Sequence, residues 1–415
     1  MTGAADDPVG TALDQLAQAQ SALFTGTWGE GNVGAGIVAI APQLLIATAQ
    51  LSLLAWQDSN QGAQTFFARS EGTPIVHGIA RLSLGATVLL PTIAQASMGA
   101  AQQILPVVGL FGGQSAAVSA YAAVADAHRN GMVYATVPVS ILDTQPIVYI
   151  SVNGGDFVPV ILDTGSIGLL ISRDYVGQQN LGAYQDDSTT CVQQSGDHCS
   201  AEYGYAGTPE AVGYDVYTTT VDFGNGIVTD PTHVGIVTEE DSAAFITFLG
   251  DGVVGVLGVG PNSYGPLTSS VTSALPGMLS TGMLLNERGG YLTLGPNPLP
   301  ARATLDGTPH TPIVLKFDDG DPESVSTGSF DSGGVYGAIS QSLIPADGLP
   351  AGTMVWVYTA DGKTLLYHYR INEYNALTVA DRPDYFNAGV EAFLSGPIYV
   401  DFSGNGSTQF DYRWL

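Results

Sequence analysis

The chain has 415 residues, with 11 Lys and Arg against 38 Asp and Glu, and its formal net charge is −27. A negative field of this size repels phosphate groups, so it argues against nucleic acids as partners and disfavours anionic membrane surfaces. Charged residues make up only 12% of the chain and hydrophobic residues 45%. These proportions exclude an acidic disordered chain and provide ample material for a buried core.

Residues 1–130 are predicted to form a helical region rich in Ala, Leu and Gln. Between Gly31 and Val124 the charged residues are Asp58, Arg69, Glu71 and Arg81. The apolar stretches 37–56 and 82–110 are long enough to span a bilayer, but prolines and polar residues interrupt them. We therefore favour a helical bundle over membrane spans, while anchoring to a surface or to lipid through this region stays open.

A change of pattern near Met132 predicts a second domain at residues 131–415. Two β-rich runs within residues 146–166 surround the sequence Asn153-Gly154-Gly155, which predicts a β-hairpin. Short runs of this kind continue towards the C-terminus, and 53 Gly and 19 Tyr are typical of a turn-rich β protein. The sequence therefore predicts a helical region followed by a mainly β domain.

Cys191 and Cys199 are the two cysteines of the chain. A metal site would need two further ligands nearby, and only Asp197 and His198 are available. We therefore expect a small disulfide and an oxidising compartment, with two unpaired thiols of a cytosolic protein as the alternative. The first ten residues contain neither a basic segment nor a short apolar core, so no ordinary signal peptide is predicted.

One arrangement occurs twice: a β-rich run, a turn, a second β-rich run and an Asp-(Thr/Ser)-Gly turn. The first copy, residues 147–166, ends in Asp163-Thr164-Gly165-Ser166. The second copy, residues 313–334, ends in Asp331-Ser332-Gly333-Gly334. Repeated halves that each carry one carboxylate indicate two lobes that meet at a shared cleft.

Each of these turns offers a carboxylate, a hydroxyl that can hydrogen-bond locally, and a glycine that permits a tight turn and close approach. If the turns meet, Asp163 and Asp331 share one proton, because two like charges that close cannot both ionise. The ionised carboxylate can then deprotonate a water while the protonated one polarises a carbonyl. The pattern predicts peptide hydrolysis without a metal or a covalent intermediate.

From about residue 145 to its end, the sequence resembles the pepsin-like aspartic proteases. The further motifs that carry this resemblance are Tyr203-Gly204 with Gly213-Tyr214-Asp215, Asp251 to Gly258, Gly290 to Gly295, and Gly389 to Phe402. The first of these resembles the flap hairpin. Asp251 to Gly258 resembles the apolar-Gly strand under the first active-site loop, and Gly290 to Gly295 resembles the strand that opens the second half. Gly389 to Phe402 resembles the closing apolar-Gly strand.

The resemblance implies a mainly β, bilobal fold with a central cleft, and lobes at about 140–300 and 301–415. Asp163 and Asp331 would form the catalytic dyad, and Thr164 and Ser332 would lock the two turns. The other residues implied to support these turns are Gly165, Ser166, Gly333 and Gly334. The residues implied to form the flap over the substrate are Tyr203, Gly204 and Tyr205. The family also tolerates a small disulfide where Cys191 and Cys199 lie.

The second turn has Gly334 where the family commonly has Thr or Ala. A missing hydroxyl removes one hydrogen bond to the ionised dyad, which should raise the pKa of the dyad. We therefore predict activity at mildly acidic to neutral pH.

A charge-poor N-terminal region ahead of an aspartic protease most resembles the mycobacterial PE and PE-PGRS aspartic proteases. That resemblance implies an exported, surface-associated enzyme that processes itself and related PE proteins. For this chain we expect secretion or a location at the cell surface, an extended peptide or protein substrate, and a monomeric protease domain.

Two functions stay open: an active endopeptidase and an inactive pepsin-like module for peptide binding or adhesion. Both Asp residues and both hydroxyl neighbours are present, which favours the enzyme. The sequence contains no His-Glu-x-x-His and no Gly-x-Ser-x-Gly, which disfavours zinc proteases and serine hydrolases. We predict neither a metal nor a cofactor.

Overall fold

The structure is a computed structural model that describes residues 7–179, 181, 184–185, 190–191, 193–195, 198–203, 210–345 and 348–412. Within these residues the helices are α1 (Pro8–Phe24), α2 (Val33–Arg69), α3 (Pro74–Val108), α4 (Gln114–Asn130), α5 (Glu239–Leu249) and α6 (Glu391–Ser395). The first twelve strands are β1 (Ala135–Pro138), β2 (Ser140–Leu142), β3 (Gln145–Val152), β4 (Val158–Asp163), β5 (Ile167–Ser172), β6 (Tyr184–Gln185), β7 (Gln194–Ser195), β8 (His198–Tyr203), β9 (Glu210–Thr219), β10 (Val221–Asp222), β11 (Thr232–Val237) and β12 (Gly255–Val259). The remaining strands are β13 (Gly282–Asn286), β14 (Tyr291–Leu294), β15 (Ala301–Asp306), β16 (His310–Phe317), β17 (Glu323–Ser329), β18 (Ala338–Ser340), β19 (Met354–Thr359), β20 (Leu365–Arg370), β21 (Thr378–Ala380), β22 (Tyr385–Asn387), β23 (Ile398–Asp401) and β24 (Ser407–Asp411).

Polar side chains cap the first two helices. Asp7 precedes α1 and accepts a hydrogen bond from the Gly10 amide at 2.9 Å, and Asn32 accepts one from the Ala35 amide of α2 at 3.1 Å. Such caps satisfy amides that have no partner inside the helix. Between α3 and α4 the chain breaks at Gly112, whose φ of 91° suits glycine. The prediction of a helical N-terminal region is confirmed.

Helices α1 to α4 share one apolar core. In α1 the buried residues recur every three or four positions, which places them on one helix face; they are Val9, Ala12, Leu16, Ala19 and Leu23. Helix α2 packs along α3, and α1 packs along α4. By length and composition, Val33–Arg69 and Pro74–Asn130 are also apolar enough to cross a membrane, and 33% of the apolar stretch of each is buried.

The hairpin of α2 and α3 packs directly on the β region. Phe67 and Leu84 form a buried cluster with Leu284 of β13, Tyr399 of β23 and Leu299. Burial of apolar surface stabilises such a contact by about 25 cal/mol per Å² removed from water. The helical region is therefore packed against a sheet and not only tethered to it.

The described strands form three sheets, so the prediction of a mainly β domain is confirmed. The six-stranded sheet has the order β1-β14-β13-β23-β24-β15. The eleven-stranded sheet follows the path β10-β3-β4-β12-β5-β11-β9-β8-β7, with β2 paired to β3 and β6 to β9. The seven-stranded sheet has the order β20-β19-β16-β17-β22-β18-β21.

The two larger sheets contain the same five-strand path. In the first, β3 and β4 form a hairpin, and β12 lies parallel to β4 and antiparallel to β5, which is parallel to β11. In the second, β16 and β17 form the hairpin. Strand β22 lies parallel to β17 and antiparallel to β18, which is parallel to β21. The sequence repeat at residues 147–166 and 313–334 is therefore a structural repeat.

The expectation of a closing supporting strand at 389–402 is wrong. The strand parallel to β17 is Tyr385–Asn387, in which Asn387 lies opposite Ser329. Residues 389–402 instead contain α6 and β23, and β23 pairs with β13 and β24 in the six-stranded sheet. The pattern misled because β22 has only three residues and one is polar, whereas Ile398–Asp401 is the more apolar run.

Candidate active site

The two predicted carboxylates lie at equivalent places in the structural repeat. Asp163 is the last residue of β4, and Asp331 follows the end of β17. Their carboxyl groups line the same two cavities. The fold therefore brings together two turns that belong to different sheets.

Thr164 and Ser332 hold the two turns against each other through reciprocal hydrogen bonds. The Thr164 amide donates to Oγ of Ser332 at 3.1 Å, and the Ser332 amide donates to Oγ1 of Thr164 at 2.9 Å. The Ser332 hydroxyl in turn donates to the Leu162 carbonyl at 2.7 Å. Both side chains are fully buried, so these bonds do not compete with water.

Gly165 and Gly333 permit the close approach of the turns. A Cβ on Gly165 would lie 2.5 Å from Oδ1 of Asp331, and a Cβ on Gly333 would lie 2.5 Å from Oδ1 of Asp163. Carbon and oxygen atoms that are not bonded to each other do not pack that closely. Any side chain at either position would therefore displace a carboxylate.

Asp163 lies in an environment that favours its protonated form. Burial and the charge of Asp331 raise the pKa of the Asp163 carboxyl well above its ordinary value, because both disfavour a second negative charge. Two hydrogen bonds oppose this effect, one from the Gly165 amide at 2.7 Å and one from the Ser166 hydroxyl at 2.5 Å. The pair is thus suited to hold one proton and one negative charge together.

Asp331 has a hydrogen-bond donor that the sequence analysis missed. The amides of Gly333 and Gly334 donate to its Oδ1 at 2.9 and 3.1 Å, and Nδ2 of Asn387 donates to its Oδ2 at 2.8 Å. Asn387 thus supplies a donor where residue 334 has no hydroxyl, and activity at mildly acidic to neutral pH stays a prediction. The sequence signal for this donor is Asn387, the polar residue just before Ala388-Gly389. It was missed because the supporting strand was expected at residues 389–402, after Asn387.

The predicted flap lies only partly within the described residues. Tyr203 is the last residue of β8, and Gly204 and Tyr205 lie outside the described residues. Strand β8 pairs with β9 to form a hairpin. Its residues Ser200 and Glu202 line a cavity that also contains both carboxylates, so this hairpin lies beside the dyad.

Two cavities adjoin the dyad, and both carboxylates line each of them. One cavity, of about 290 Å³, includes Tyr264 and residues 200–202 of β8. The other, of about 270 Å³, includes Gln145, Tyr385 and Asn387. A chain bound across the dyad has space for side chains on both sides. In the described part of the chain, no group of three or more His, Cys, Asp or Glu side chains is placed to hold a metal ion.

The predicted disulfide between Cys191 and Cys199 is confirmed, with the two Cα atoms 6.0 Å apart. Cys199 belongs to β8, and Cys191 forms a bridge with Leu267. The crosslink therefore ties the segment before β8 to the sheet next to the dyad.

Nδ1 of His198 lies 2.6 Å from Oδ1 of Asp215.

Comparison with known proteins gives consistent results. Residues 135–409 match the profile of the PE-PGRS C-terminal aspartyl peptidase-like domain. PE cleavage protein A of Mycobacterium tuberculosis is 38% identical over 301 residues, which cover 67% of this chain and 52% of that protein. PE cleavage protein A of Mycobacterium marinum is 37% identical over 300 residues, which cover 66% of this chain and 52% of that protein. The chain thus spans about half the length of these curated relatives.

Proposed function

The chain belongs to the family of the PE-PGRS C-terminal aspartyl peptidase-like domain, and on that basis we propose that it is an aspartic endopeptidase. One observation carries the proposal: the turns of Asp163 and Asp331 approach so closely that a Cβ on Gly165 or on Gly333 would lie 2.5 Å from the carboxylate of the opposite turn. The buried exchange of hydrogen bonds between Thr164 and Ser332 fixes this contact. Two Asp turns that do not act together would not require buried hydrogen bonds between them.

The proposed reaction needs one proton on the dyad. The ionised carboxylate takes a proton from a water held between Asp163 and Asp331, and the protonated carboxyl donates to the carbonyl oxygen of the peptide bond. The water oxygen attacks the carbonyl carbon, and the resulting tetrahedral diol breaks at the C–N bond once the nitrogen is protonated. Burial strengthens the interactions that stabilise charge in this step.

We propose that the structural repeat forms the two lobes of a pepsin-like arrangement, at about 140–300 and 301–415. Support comes from the two equivalent five-strand paths, each of which delivers one catalytic turn. The cleft between the lobes would bind an extended peptide, with strand-like hydrogen bonds to the β8–β9 hairpin. We expect the protease domain to act as a monomer, because each chain supplies both carboxylates.

We propose that the substrates are PE-family proteins, with self-processing as a second reaction. The support is the name of the relatives, PE cleavage protein A. Incubation of the enzyme with a purified PE-family protein, followed by mass spectrometry of the fragments, tests this assignment. An intact PE protein beside cleaved unrelated peptides would contradict it and leave the peptidase proposal standing.

We propose that the protein works outside the cytoplasm, at the cell surface, and that residues 1–130 mediate surface or lipid association. The disulfide supports an oxidising compartment. The scarcity of charge in the helices and their exposed apolar side chains, such as Leu44, Leu51 and Leu82, support the association. Flotation of the protein with neutral lipid vesicles tests it, and recovery of all protein in the lipid-free fraction would overturn it.

The peptidase proposal is tested by cleavage of an unbiased peptide mixture from about pH 3 to 8, which brackets the reference pKa values of Asp and His. Wild type is compared with Asp163→Asn and Asp331→Asn, and Asp156→Asn serves as the control because Asp156 is an exposed loop residue. We expect wild type and the control to cleave, and each dyad variant to lose activity by about 10²-fold or more. If the folded wild type leaves the mixture intact yet binds peptides, an inactive binding module is the better description.

A further inference from the structure

Asn387 contacts Asp331 in an orientation that its own neighbours fix. Oδ1 of Asn387 accepts a hydrogen bond from the Gly389 amide at 2.8 Å. Because a backbone amide can only donate, Oδ1 must face Gly389 and the NH₂ group must face Asp331. Nδ2 then donates to Oδ2 of Asp331 at 2.8 Å. The side chain is therefore a donor, and not an acceptor, towards this carboxylate.

The second turn lacks the hydroxyl that serves the first. Ser166 donates from Oγ to Oδ2 of Asp163 at 2.5 Å, and the corresponding residue of the second turn is Gly334. A Cβ on Gly334 would lie 3.4 Å from Oδ2 of Asp331 and 3.5 Å from Nδ2 of Asn387. The amide of Asn387 therefore occupies the space through which a hydroxyl at position 334 would reach the carboxylate.

This donor occurs in only one half of the structural repeat. Asn387 lies opposite Ser329, two residues before the catalytic Asp of the second turn. The equivalent register in the first half pairs Val256 with Ile161, two residues before the other catalytic Asp. Valine has no donor, so the two carboxylates receive different environments from otherwise equivalent strands.

The titratable and charged groups on this side of Asp331 come from β16, β22 and the segment before β22. Tyr385 lies two residues before Asn387 on β22, and Arg382 lies 4.4 Å above the ring of Tyr385. Burial raises the pKa of the Tyr385 hydroxyl. Burial, together with Arg382, lowers the pKa of His310. Both groups are therefore neutral near pH 7, and Asn387 donates to Oδ2 without titrating at all.

We propose that Asn387 is a positioning residue that keeps Asp331 ionised and leaves the shared proton of the dyad on Asp163. The inference rests on the proposed function, since it assigns the roles within the same dyad. Among the described hydrogen bonds from other groups, Asp331 accepts three and Asp163 accepts two. Hydrogen bonds to a charged carboxylate favour its ionised form. Asp331 then takes the proton from water, and Asp163 gives its proton to the carbonyl oxygen.

The test compares Asn387→Ala, Gly334→Ser and the double variant Asn387→Ala/Gly334→Ser. Loss of the amide removes a hydrogen bond that favours the ionised dyad, so the acid limb of the pH profile of kcat should move upward by about one pH unit. KM should change less than kcat, because the residue acts on the dyad. The serine hydroxyl in the double variant should restore the limb, whereas Gly334→Ser alone should leave it near the wild-type position.

The matched control is Asn375→Ala. Asn375 is also a buried amide that donates to a carboxylate, Oε1 of Glu391, at 2.7 Å, but it lies outside the dyad. We expect this variant to lose stability while its acid limb stays in place. Loss of activity in Asn387→Ala with the acid limb unmoved would reduce Asn387 to a structural residue and overturn the inference.

Two further measurements separate this inference from the proposed function. Carboxyl ¹³C resonances of Asp163 and Asp331, assigned with the Asp→Asn variants, can be titrated in wild type and Asn387→Ala whether or not the protein cleaves peptides. An unchanged titration of Asp331 overturns the inference even if wild type is an active peptidase. If Asn387→Ala does not fold, the isosteric Asn387→Asp replaces the donor by an acceptor, and it should move the acid limb of the pH profile of kcat still further upward.

Discussion

Thr164 donates its hydroxyl hydrogen to the carbonyl of Phe330 at 2.7 Å. The residue after Asp163 is therefore bonded to the residue before Asp331. The same hydroxyl accepts a hydrogen bond from the Ser332 amide, so one buried side chain satisfies two backbone groups of the opposite turn. Removal of that oxygen leaves both groups without their partner in a site that excludes water.

Thr164→Val removes this oxygen at nearly constant volume. We expect the free energy of unfolding to fall by about 1–3 kcal/mol, the usual cost of leaving buried polar groups unpaired. Peptide cleavage should fall as well, because the turns lose their alignment. Urea unfolding followed by fluorescence measures the first effect. Thr164→Ser keeps the oxygen and serves as the control; equal losses in both variants would show that the methyl group, and not the hydroxyl, is what matters.

Ser166→Ala should extend activity to higher pH. The Ser166 hydroxyl lowers the pKa of Asp163 by donating to its ionised form. Without it, Asp163 keeps its proton to a higher pH, so the alkaline limb of kcat/KM should move upward by about one pH unit. Ser172→Ala, which alters a buried serine away from the dyad, should leave the limb in place. A downward movement of the limb in Ser166→Ala would contradict the prediction.

Asp163→Asn should stabilise the folded protein at neutral pH while it abolishes cleavage. The pKa of Asp163 is raised on folding, so its contribution to stability is present at low pH and is lost as the pH rises through the folded-state pKa. We therefore expect Asp163→Asn to be more stable than wild type at pH 7 and equally stable near pH 3. Denaturant unfolding at both pH values measures this. Asp156→Asn should change stability by less than about 0.5 kcal/mol at either pH, and a loss of stability at pH 7 in Asp163→Asn would refute the argument.

Phe67→Ala should separate the helical hairpin from the six-stranded sheet. Phe67 is fully buried against residues of that sheet, and truncation of a buried Phe costs about 3–5 kcal/mol. The neighbouring Phe66 is 38% exposed, so Phe66→Ala is a matched control with an expected cost below about 1 kcal/mol. Limited proteolysis between α3 and β1, together with thermal unfolding, reports the outcome. Similar behaviour of the two variants would mean that the packed contact contributes little.

Reduction of the disulfide should loosen the hairpin beside the dyad. The loop between Cys191 and Cys199 spans eight positions, and closure of a loop of this size stabilises by about 2–3 kcal/mol in the chain-entropy model. The double variant Cys191→Ser/Cys199→Ser should show this loss in urea unfolding. Its KM should also rise, because β8 lines the cavity next to the carboxylates. An unchanged KM would indicate that β8 is held by its pairing with β9 alone.

Most of the candidate site could be predicted from the sequence, because its residues lie close together in the chain within each turn. Asp163 and Asp331 lie in short turns with a distinct pattern, and the repeat around them reflects strands that pair with near neighbours. Asn387 could not be found this way. Its role depends on a parallel pairing with β17, and such pairing brings together segments that are distant in the chain and leaves no local pattern in a three-residue strand.

The helical region shows the same limit. The spacing of Leu16 and Leu23 predicts an amphipathic helix, and such a pattern marks the buried face without saying what covers it. The contact of Phe67 with β13 and β23 depends on how far the α2–α3 hairpin extends beyond the other two helices. The length of this hairpin could not be predicted from the sequence, because few residues mark the end of a helix within an apolar run.

The six-stranded sheet contains both β1 and β24, the first and last strands among the described residues. During synthesis, a nascent chain therefore exposes β1, β13 and β14 long before β23 and β24 leave the ribosome. Asp163 likewise emerges well ahead of its partner, and a lone carboxylate cannot share a proton. The proposed dyad therefore cannot form in a nascent chain until the turn that carries Asp331 has also emerged.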